Sequence, residues 1–219
     1  MKLAIVVPAY NEESRIGSVL QDLIKTKIPI IVIDDGSSDN TYKIVQSNKV
    51  IPLKHKINLG KGAALKTGCE AAFSLGVEGV IIMDSDGQHR VGDLDKFVAA
   101  LETGNYDVVF GSRNLSFGVP FMRFVGNKFA SVLVSFLFGI YVSDLICGYR
   151  AFTKKGYDNL KWQSSGYGVE TEMVVRTGKL KLRFCEVPVE TIYFDKFKGV
   201  TILDAVGILF SVLKWRIYK

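Results

Sequence analysis

The chain has 219 residues, of which 48% are hydrophobic and 23% charged, and its formal net charge is +6. This length supports one sizeable core, and the moderate basic excess suits an anionic partner: a phosphorylated ligand, an acidic lipid surface or a nucleic acid. Three widely spaced cysteines without a C-x-x-C pair argue against a disulfide framework or a zinc cluster and favour a reducing compartment.

Short apolar runs alternate with helical stretches through the first half of the chain. Strands are predicted at Leu3–Val7, where Pro8 ends the strand, and at Ile30–Ile33, Val50–Leu53, Gly79–Met83 and Val108–Phe110. Helices are predicted at Glu12–Lys25, from a cap at Ser38-Asp39-Asn40 to about Gln46, at Lys61–Leu75 and at Leu94–Leu101. This alternation predicts an α/β fold, with a mostly parallel central sheet flanked by helices.

Two apolar segments lie in the second half, Phe129–Val142 and Ile202–Tyr218. Both are shorter than the ~20 residues of a membrane-spanning helix, and we expect no secretory signal before the first strand. Two interpretations are open: they are core helices, or they lie at a lipid surface. The basic and aromatic residues from Lys214 to Lys219 suit the second interpretation, in which the C-terminal helix is amphipathic.

Carboxylates follow three of the predicted strands, at the edge where open α/β sheets bind ligands. The segment Asp84-Ser85-Asp86 follows a buried strand, and Gln88 lies just beyond it. Two carboxylates at this spacing suit a hard divalent cation that also binds substrate phosphates, so we expect Asp84, Asp86 and Gln88 to hold Mg²⁺ or Mn²⁺. His89, the next residue, can add a further ligand or a water contact. The alternative is a simple helix-capping turn.

The other strand ends suggest a nucleotide site. Asp34 or Asp35 can accept hydrogen bonds from a base or a ribose hydroxyl, or can belong to a turn that caps a helix. Asn58-Leu59-Gly60-Lys61-Gly62 begins a helix, where exposed N–H groups and Lys61 favour an anion, although the spacing is not that of a Walker loop. Farther along, the guanidinium groups of Arg113 and Arg123 suit phosphate oxygens, or form structural ion pairs.

Together these segments resemble family 2 glycosyltransferases of the GT-A fold, and the likeness covers nearly the whole chain. The segments that carry it are Val7-Pro8-Ala9-Tyr10-Asn11-Glu12-Glu13, Asp34-Asp35-Gly36-Ser37, Asn58–Gly62, Asp84-Ser85-Asp86-Gly87-Gln88, Gly111-Ser112-Arg113, Asp144–Phe152, Glu170-Thr171-Glu172 and Glu186-Val187-Pro188. The branch that glycosylates polyprenyl phosphates, which includes dolichyl-phosphate mannose and glucose synthases, is most similar. The segment Lys196–Thr201 departs from that branch, because Lys196 stands where an arginine is usual.

The resemblance implies a single domain over residues 1–219, with a donor half at about 1–112 and an acceptor half at about 113–219. It also implies these site residues. The nucleotide-sugar site has Pro8, Ala9, Tyr10, Glu12, Asp34, Asp35, Lys61, Asp84, Ser85 and Asp86. The acceptor phosphate site has Arg113, Arg123, Asn127 and Lys196. The catalytic set is Asp84, Asp86, Arg113 and Asp144.

The implied reaction is metal-dependent transfer of a hexose from UDP-glucose or GDP-mannose to a polyprenyl phosphate, on the cytoplasmic face of a membrane to which the protein binds peripherally. In the alternative reaction a hydroxyl is the acceptor and Asp144 is the base. A non-catalytic nucleotide-binding adaptor has little use for Asp84, Asp86, Arg113 and Asp144 together. We expect no nucleic-acid partner, because the basic residues are scattered and no groove-reading motif is present.

Overall fold

A seven-stranded sheet forms the centre of the protein. The computed structural model describes residues 1–113, 121–191 and 202–217, without the side chains of residues 121–123, 202–206, 208, 209 and 217. The strand order is β3-β2-β1-β4-β6-β5-β7. The strands are β1 Leu3–Ala9, β2 Ile30–Asp34, β3 Ile51–Lys54, β4 Gly79–Ile82, β5 Val108–Arg113, β6 Arg150–Thr153 and β7 Phe184–Val189. Every strand except β6 runs parallel to the others, which confirms the predicted mostly parallel α/β sheet.

The prediction that Pro8 ends the first strand is wrong. β1 continues through Pro8, which pairs with Ile33, to Ala9. Proline disrupts a central strand because it has no N–H to donate. On the β4 side, however, the pairing of β1 already stops at Val6 and Ile82. At Pro8 the strand has a neighbour on one side only, so a missing donor is tolerated.

Eight α-helices lie within the described residues and cover both faces of the sheet. They are α1 Ile16–Ile24, α2 Thr41–Gln46, α3 Lys61–Ser74, α4 Leu94–Glu102, α5 Phe121–Phe138, α6 Lys154–Leu160, α7 Val169–Lys179 and α8 Ile202–Ile217. α1 and α4 pack on one face, around Leu20 and Phe97. α3, α5, α6, α7 and α8 pack on the other. Helix α1 begins at Ile16 instead of the predicted Glu12, because the Glu12 carbonyl accepts the Arg15 N–H in a turn.

The antiparallel strand β6 joins the two halves of the sheet. It pairs with β4 on one side and with β5 on the other. Because β6 runs in reverse, the segment that precedes it, residues 144–149, lies at the edge where the parallel strands end. The carboxylates that follow the parallel strands and the loop from the second half therefore meet at one edge of the sheet.

The two apolar segments fold differently from each other. α5 ends at Phe138, where Gly139 has φ +68°, and Ile140 and Val142 beyond it are buried in the core. The segment Phe129–Val142 is thus part helix and part core loop. Both α5 and α8 bury one side, through Val134 and Val212, and expose apolar residues on another. Neither these nor any other described helix combines the length and apolar content that crossing a bilayer requires.

Candidate active site

Asp84 lies at the centre of the polar edge, just after β4. Its Oδ1 atom is 2.7 Å from the Lys61 ammonium at the start of α3, and its Oδ2 atom is 3.5 Å from His89 Nε2. The same ammonium lies 2.7 Å from Oε1 of Glu170, in the first turn of α7. Three segments that are remote in sequence thus meet around one carboxylate.

These contacts keep Asp84 and Lys61 in their charged forms. Burial opposes the charge on Asp84, but the Lys61 charge and the contact with His89 outweigh it and hold the pKa of Asp84 well below its ordinary value. Burial also disfavours the Lys61 ammonium, but Asp84 and Glu170 raise the pKa of Lys61 well above its usual range. Asp84 is therefore an anion over the whole neutral range.

Asp86 is the less engaged of the two carboxylates. Its Oδ1 atom accepts the backbone N–H of Gln88 at 3.0 Å, in a bend that turns the chain away from β4. Within the described residues, no three His, Cys, Asp or Glu side chains are grouped so as to hold a metal by themselves. The Asp84 and Asp86 carboxylates nevertheless fit a hard cation whose remaining ligands are water and diphosphate oxygens. Ser85, between them, is buried.

The loop before β6 closes against Asp84. A methyl group on Gly148 would lie only 2.2 Å from Asp84 Oδ2, so the backbone touches the carboxylate directly. Arg150 holds this loop from below, since its buried guanidinium donates to the carbonyl oxygens of Leu145, Cys147 and Glu170 at 2.6, 2.9 and 2.6 Å. The sequence motif that contains Gly148 and Arg150 thus builds one wall of the site.

The structure separates the roles of Asp34 and Asp35. Asp35 accepts the backbone N–H groups of Leu59 and Gly60 at 2.9 and 2.8 Å, and lies 2.7 Å from His55 Nδ1. Asp35 therefore organises the loop before α3, and both of its oxygens already have partners. Asp34 keeps a buried oxygen, Oδ2, without a hydrogen bond, although Lys54 is 3.7 Å away. Asp34 is the better candidate for a ligand.

The segment that follows β1 is held by the segment that follows β2. Asn11 has φ +52°, its N–H donates to Ser37 Oγ, and its side-chain oxygen accepts from Ser38 N–H. Pro8 and Ala9 are buried in the strand, whereas Tyr10 is exposed. Glu12 donates its N–H to Thr41 Oγ1. The tight turn leaves Tyr10 as the exposed large side chain above this end of the sheet.

The expected anion site at the start of α3 needs correction. Ser165 already occupies it, since its carbonyl accepts the N–H groups of Gly62 and Ala63 at 2.5 and 3.2 Å. A methyl group on Gly60 or Gly62 would lie 2.5 or 2.0 Å from a carbonyl oxygen of that loop. The glycines therefore permit close packing of two backbones. Lys61 alone can serve a phosphate there.

Arg113 and Asp144 form a forked ion pair on the far side of Asp84. Arg113 Nε donates to Asp144 Oδ2 at 2.6 Å, and Nη2 donates to Oδ1 at 3.0 Å. The Asn127 amide also donates to Asp144 Oδ1, at 3.3 Å. Asp144 is buried and bonded through both oxygens, and it orients Arg113, while its role as a base stays a prediction. Arg123 and Lys196, the other expected phosphate ligands, lie outside the described side chains.

Two contributors to the site were not assigned by sequence reasoning. Glu170 was noted only as part of a matching motif, and its ion pair with Lys61 joins positions far apart in the chain. Glu186 accepts from the N–H and hydroxyl of Ser143 at 2.8 and 2.6 Å and so fixes the loop that carries Asp144. Only the three-dimensional arrangement assigns these contacts.

Comparison with known proteins identifies the family. The family model described as Glycosyl transferase family 2 matches residues 4–166. A UDP-N-acetylglucosamine–dolichyl-phosphate N-acetylglucosaminyltransferase of Methanococcus voltae is 33% identical, over 98% of this chain and 96% of its own. A polyprenol monophosphomannose synthase of Mycolicibacterium smegmatis is 26% identical, over 97% of this chain and 86% of its own.

A solved structure has the same fold. Glucosyl-3-phosphoglycerate synthase from Mycobacterium tuberculosis, in complex with Mn²⁺, uridine diphosphate and phosphoglyceric acid, superposes with a TM-score of 0.78 at 20% identity, over 98% of this chain and 78% of that chain. This likeness confirms the expected GT-A type of sheet. With the family match over most of its length, the chain belongs to glycosyl transferase family 2 and is a glycosyltransferase.

Proposed function

We propose that this enzyme transfers a sugar from a nucleoside diphosphate to a polyprenyl phosphate, with a divalent metal at the diphosphate. The observation that carries the proposal is the position of Asp84 and Asp86 between the strand ends that suit a nucleoside and an arginine that is oriented by an ion pair. On one side lie the strand ends of β1 and β2 with Asp34. On the other lies the Arg113–Asp144 pair. A diphosphate donor and an anionic acceptor need this separation.

On the donor side, the nucleoside would lie over the ends of β1 and β2. Asp34 has a buried oxygen without a hydrogen bond that can accept from a base or a ribose hydroxyl. Tyr10 is exposed above the same edge and can cover the base. Pro8, Ala9, Glu12 and Ser85 would then shape the floor and rim of this site, and Lys61 would lie at the diphosphate.

Asp86, with Asp84 and Gln88, would hold Mg²⁺ or Mn²⁺. When bound, the metal supplies Lewis-acid stabilisation of the charge that develops on the leaving diphosphate. The chain's own residues then position the reactants. A phosphate monoester is already anionic near neutral pH, so it needs an oriented cation more than a base. Arg113, held by Asp144 and Asn127, is suited to that part, and Arg123 and Lys196 remain proposed additional phosphate ligands.

The relatives indicate which sugars and bases the donor can carry. The two relatives described above are named for N-acetylglucosamine and mannose transfer to a lipid phosphate. The choice therefore extends beyond UDP-glucose and GDP-mannose to UDP-N-acetylglucosamine. A panel of these three donors, with Mg²⁺ or Mn²⁺ and a short polyprenyl phosphate, tests the proposal directly.

Asp86→Ala provides the decisive variant for this assay. We expect it to abolish transfer, and to leave the unfolding temperature nearly unchanged because the Asp86 side chain makes one hydrogen bond, to Gln88 N. The matched control is Asp158→Ala on α6, which removes an exposed carboxylate away from the site, the partner of Lys154. Substantial transfer by Asp86→Ala would refute the metal assignment. Transfer to a simple hydroxyl compound but not to the lipid phosphate would refute the acceptor assignment.

We also propose that the enzyme binds the cytoplasmic face of a membrane through the outer side of α5. Val125, Phe129, Val132 and Phe136 recur at helical spacing on this helix, and Phe136 is 86% exposed. Within its 18 residues α5 has no acidic side chain, and the last turn of α8 carries Lys214 and Arg216. An apolar stripe with basic residues nearby suits an anionic lipid surface. The unpaired cysteines agree with a reducing compartment.

Vesicle flotation tests the membrane surface. We expect the wild-type enzyme to float with anionic liposomes, and the double variant Phe129→Ser/Phe136→Ser to lose roughly 100-fold in partitioning, if each phenyl ring contributes ~1.5 kcal/mol. Leu75→Ser, at the end of α3, removes an apolar side chain of similar exposure and serves as the control. Equal flotation of both variants would exclude α5 as the lipid-binding surface.

A further inference from the structure

The Lys61 ammonium lies between two carboxylates. It is 2.7 Å from Asp84 Oδ1 and 2.7 Å from Glu170 Oε1, and its side chain is largely buried. Lys61 begins α3, which is anchored by the bonds from Gly62 and Ala63 to Ser165. Asp84 Oδ2 faces the Gly148 backbone and His89, so the ammonium occupies the Asp84 oxygen that is left for the proposed metal.

We infer that Lys61 is a tethered cation that a divalent metal displaces from Asp84, and that Glu170 is the positioning residue that keeps the displaced ammonium in the site. This inference rests on the proposed metal site. An ammonium and a divalent ion cannot both occupy Oδ1 at contact distance, because two positive charges at that separation repel strongly. Metal binding at Asp84 therefore requires Lys61 to move.

Glu170 determines where Lys61 goes. The Glu170 carboxylate is buried, and an ion pair broken inside a protein leaves a charge at high cost. Arg150 donates to the Glu170 carbonyl at 2.6 Å and fixes this turn of α7. Lys61 therefore keeps its contact with Glu170 when it releases Asp84. The ammonium stays beside the metal, where the donor diphosphate arrives.

This arrangement couples metal binding to the donor. Without a diphosphate, the metal must compete with Lys61 for Asp84, and the displaced ammonium keeps Glu170 but gains no new anion in place of Asp84. With a diphosphate, phosphate oxygens bind both the metal and the ammonium. We therefore expect Mn²⁺ to bind weakly to the free enzyme and more tightly in the presence of UDP.

Electron paramagnetic resonance of Mn²⁺ tests the competition without any turnover. For Lys61→Met we expect Mn²⁺ to bind the nucleotide-free enzyme about tenfold more tightly than wild type, because a positive charge beside Asp84 is gone. Lys61→Arg keeps the charge and should retain weak binding. Circular dichroism would confirm that both variants are folded. Unchanged or weaker Mn²⁺ binding by folded Lys61→Met would overturn the inference.

Glu170→Gln tests whether Glu170 retains the displaced ammonium, and it should change Mn²⁺ affinity in the opposite direction from Lys61→Met. Without the Glu170 carboxylate, the Lys61 ammonium pairs with Asp84 alone and is harder to displace, so Mn²⁺ affinity should fall several-fold. Glu172→Gln is the matched control, because Glu172 is equally buried on α7 but pairs with Arg176 and the backbone of residues 163 and 164. In a Lys61→Met background, Glu170→Gln should have a smaller effect on Mn²⁺ affinity. If Glu170→Gln lowers Mn²⁺ affinity just as much in that background, Glu170 acts only as a distant charge, and its role as the positioning residue is overturned.

The outcomes separate this inference from the proposed function. Mn²⁺ affinities in the predicted order, with no sugar transfer to a polyprenyl phosphate, would support the displaced lysine and refute the acceptor. Sugar transfer to a polyprenyl phosphate, with Mn²⁺ affinities unaffected by Lys61→Met, would support the acceptor and refute the displaced lysine.

Discussion

Gly148→Ala is the most direct test of how the site is built. The added methyl group would lie 2.2 Å from Oδ2, 2.7 Å from Cγ and 2.8 Å from Oδ1 of Asp84. One side must move to restore a normal contact. The loop is held on both sides of Gly148, by the bond from Arg150 to the Cys147 carbonyl and the bond from Gly111 N–H to the Tyr149 carbonyl. The Asp84 side chain, which is 22% exposed and within the described residues is held only by side-chain contacts with Lys61 and His89, is the softer partner.

The displacement sets the size of the effect. Relief of the overlap needs a shift of about 1 Å, and a misplacement of that size in an active site costs about 100-fold in rate, or ~2.7 kcal/mol of transition-state stabilisation. We expect kcat/KM to fall by this factor and Mn²⁺ binding to weaken. The unfolding temperature should change far less, since Asp84 moves and the loop does not.

Two measurements make this reasoning refutable. Steady-state transfer gives kcat/KM, and paramagnetic resonance gives Mn²⁺ affinity in the same preparation. Gly126→Ala on α5 is the control, because a methyl group there meets nothing within 4 Å and a helical Ala replaces Gly favourably. Wild-type Mn²⁺ affinity and transfer in Gly148→Ala would refute the claim that the loop positions Asp84. In an Asp84→Ala background, Gly148→Ala should cause little further loss.

Two further predictions concern stability. Hydrogen bonds from Arg183 hold the pKa of Asp107 below its ordinary value of 3.8, so folding stabilises the charged form. The stability that Asp107 contributes is complete above pH 3.8 and is lost as the pH falls through the depressed pKa. Urea unfolding should show Asp107→Asn to be less stable than wild type at pH 7, with the difference closing in acid, and a constant difference would contradict the assignment. Gly62→Ala would place a methyl group 2.0 Å from the Ser164 carbonyl oxygen and should cost about 2 kcal/mol of unfolding free energy. Gly166→Ala, in open space, should not, and equal stabilities would contradict the close packing.

The sequence predicted well the features that depend on local periodicity. Parallel strands end at one edge, so Asp34 and Asp84 were expected at the same edge of the sheet, and they lie there at the ends of β2 and β4. Exact boundaries were less accurate because neighbours decide them, as at Pro8, where the missing pairing partner permits a longer strand.

The sequence alone does not predict which partner each polar group binds. Asp34 and Asp35 are adjacent and chemically identical, yet Asp35 is bonded to the loop before α3. Arg113 and Asp144 were assigned to different roles, but they form one ion pair. Such pairings depend on contacts between distant segments, for which a single sequence carries no signal.

The antiparallel strand β6 has a consequence for how the molecule unfolds. Strands β3, β2, β1 and β4 share no direct pairing with β5 and β7, and β6 is hydrogen-bonded to both groups. Neither group can separate from the sheet without breaking a β6 ladder. We therefore expect hydrogen exchange to show the two groups of strands protecting their amide hydrogens as a single cooperative unit.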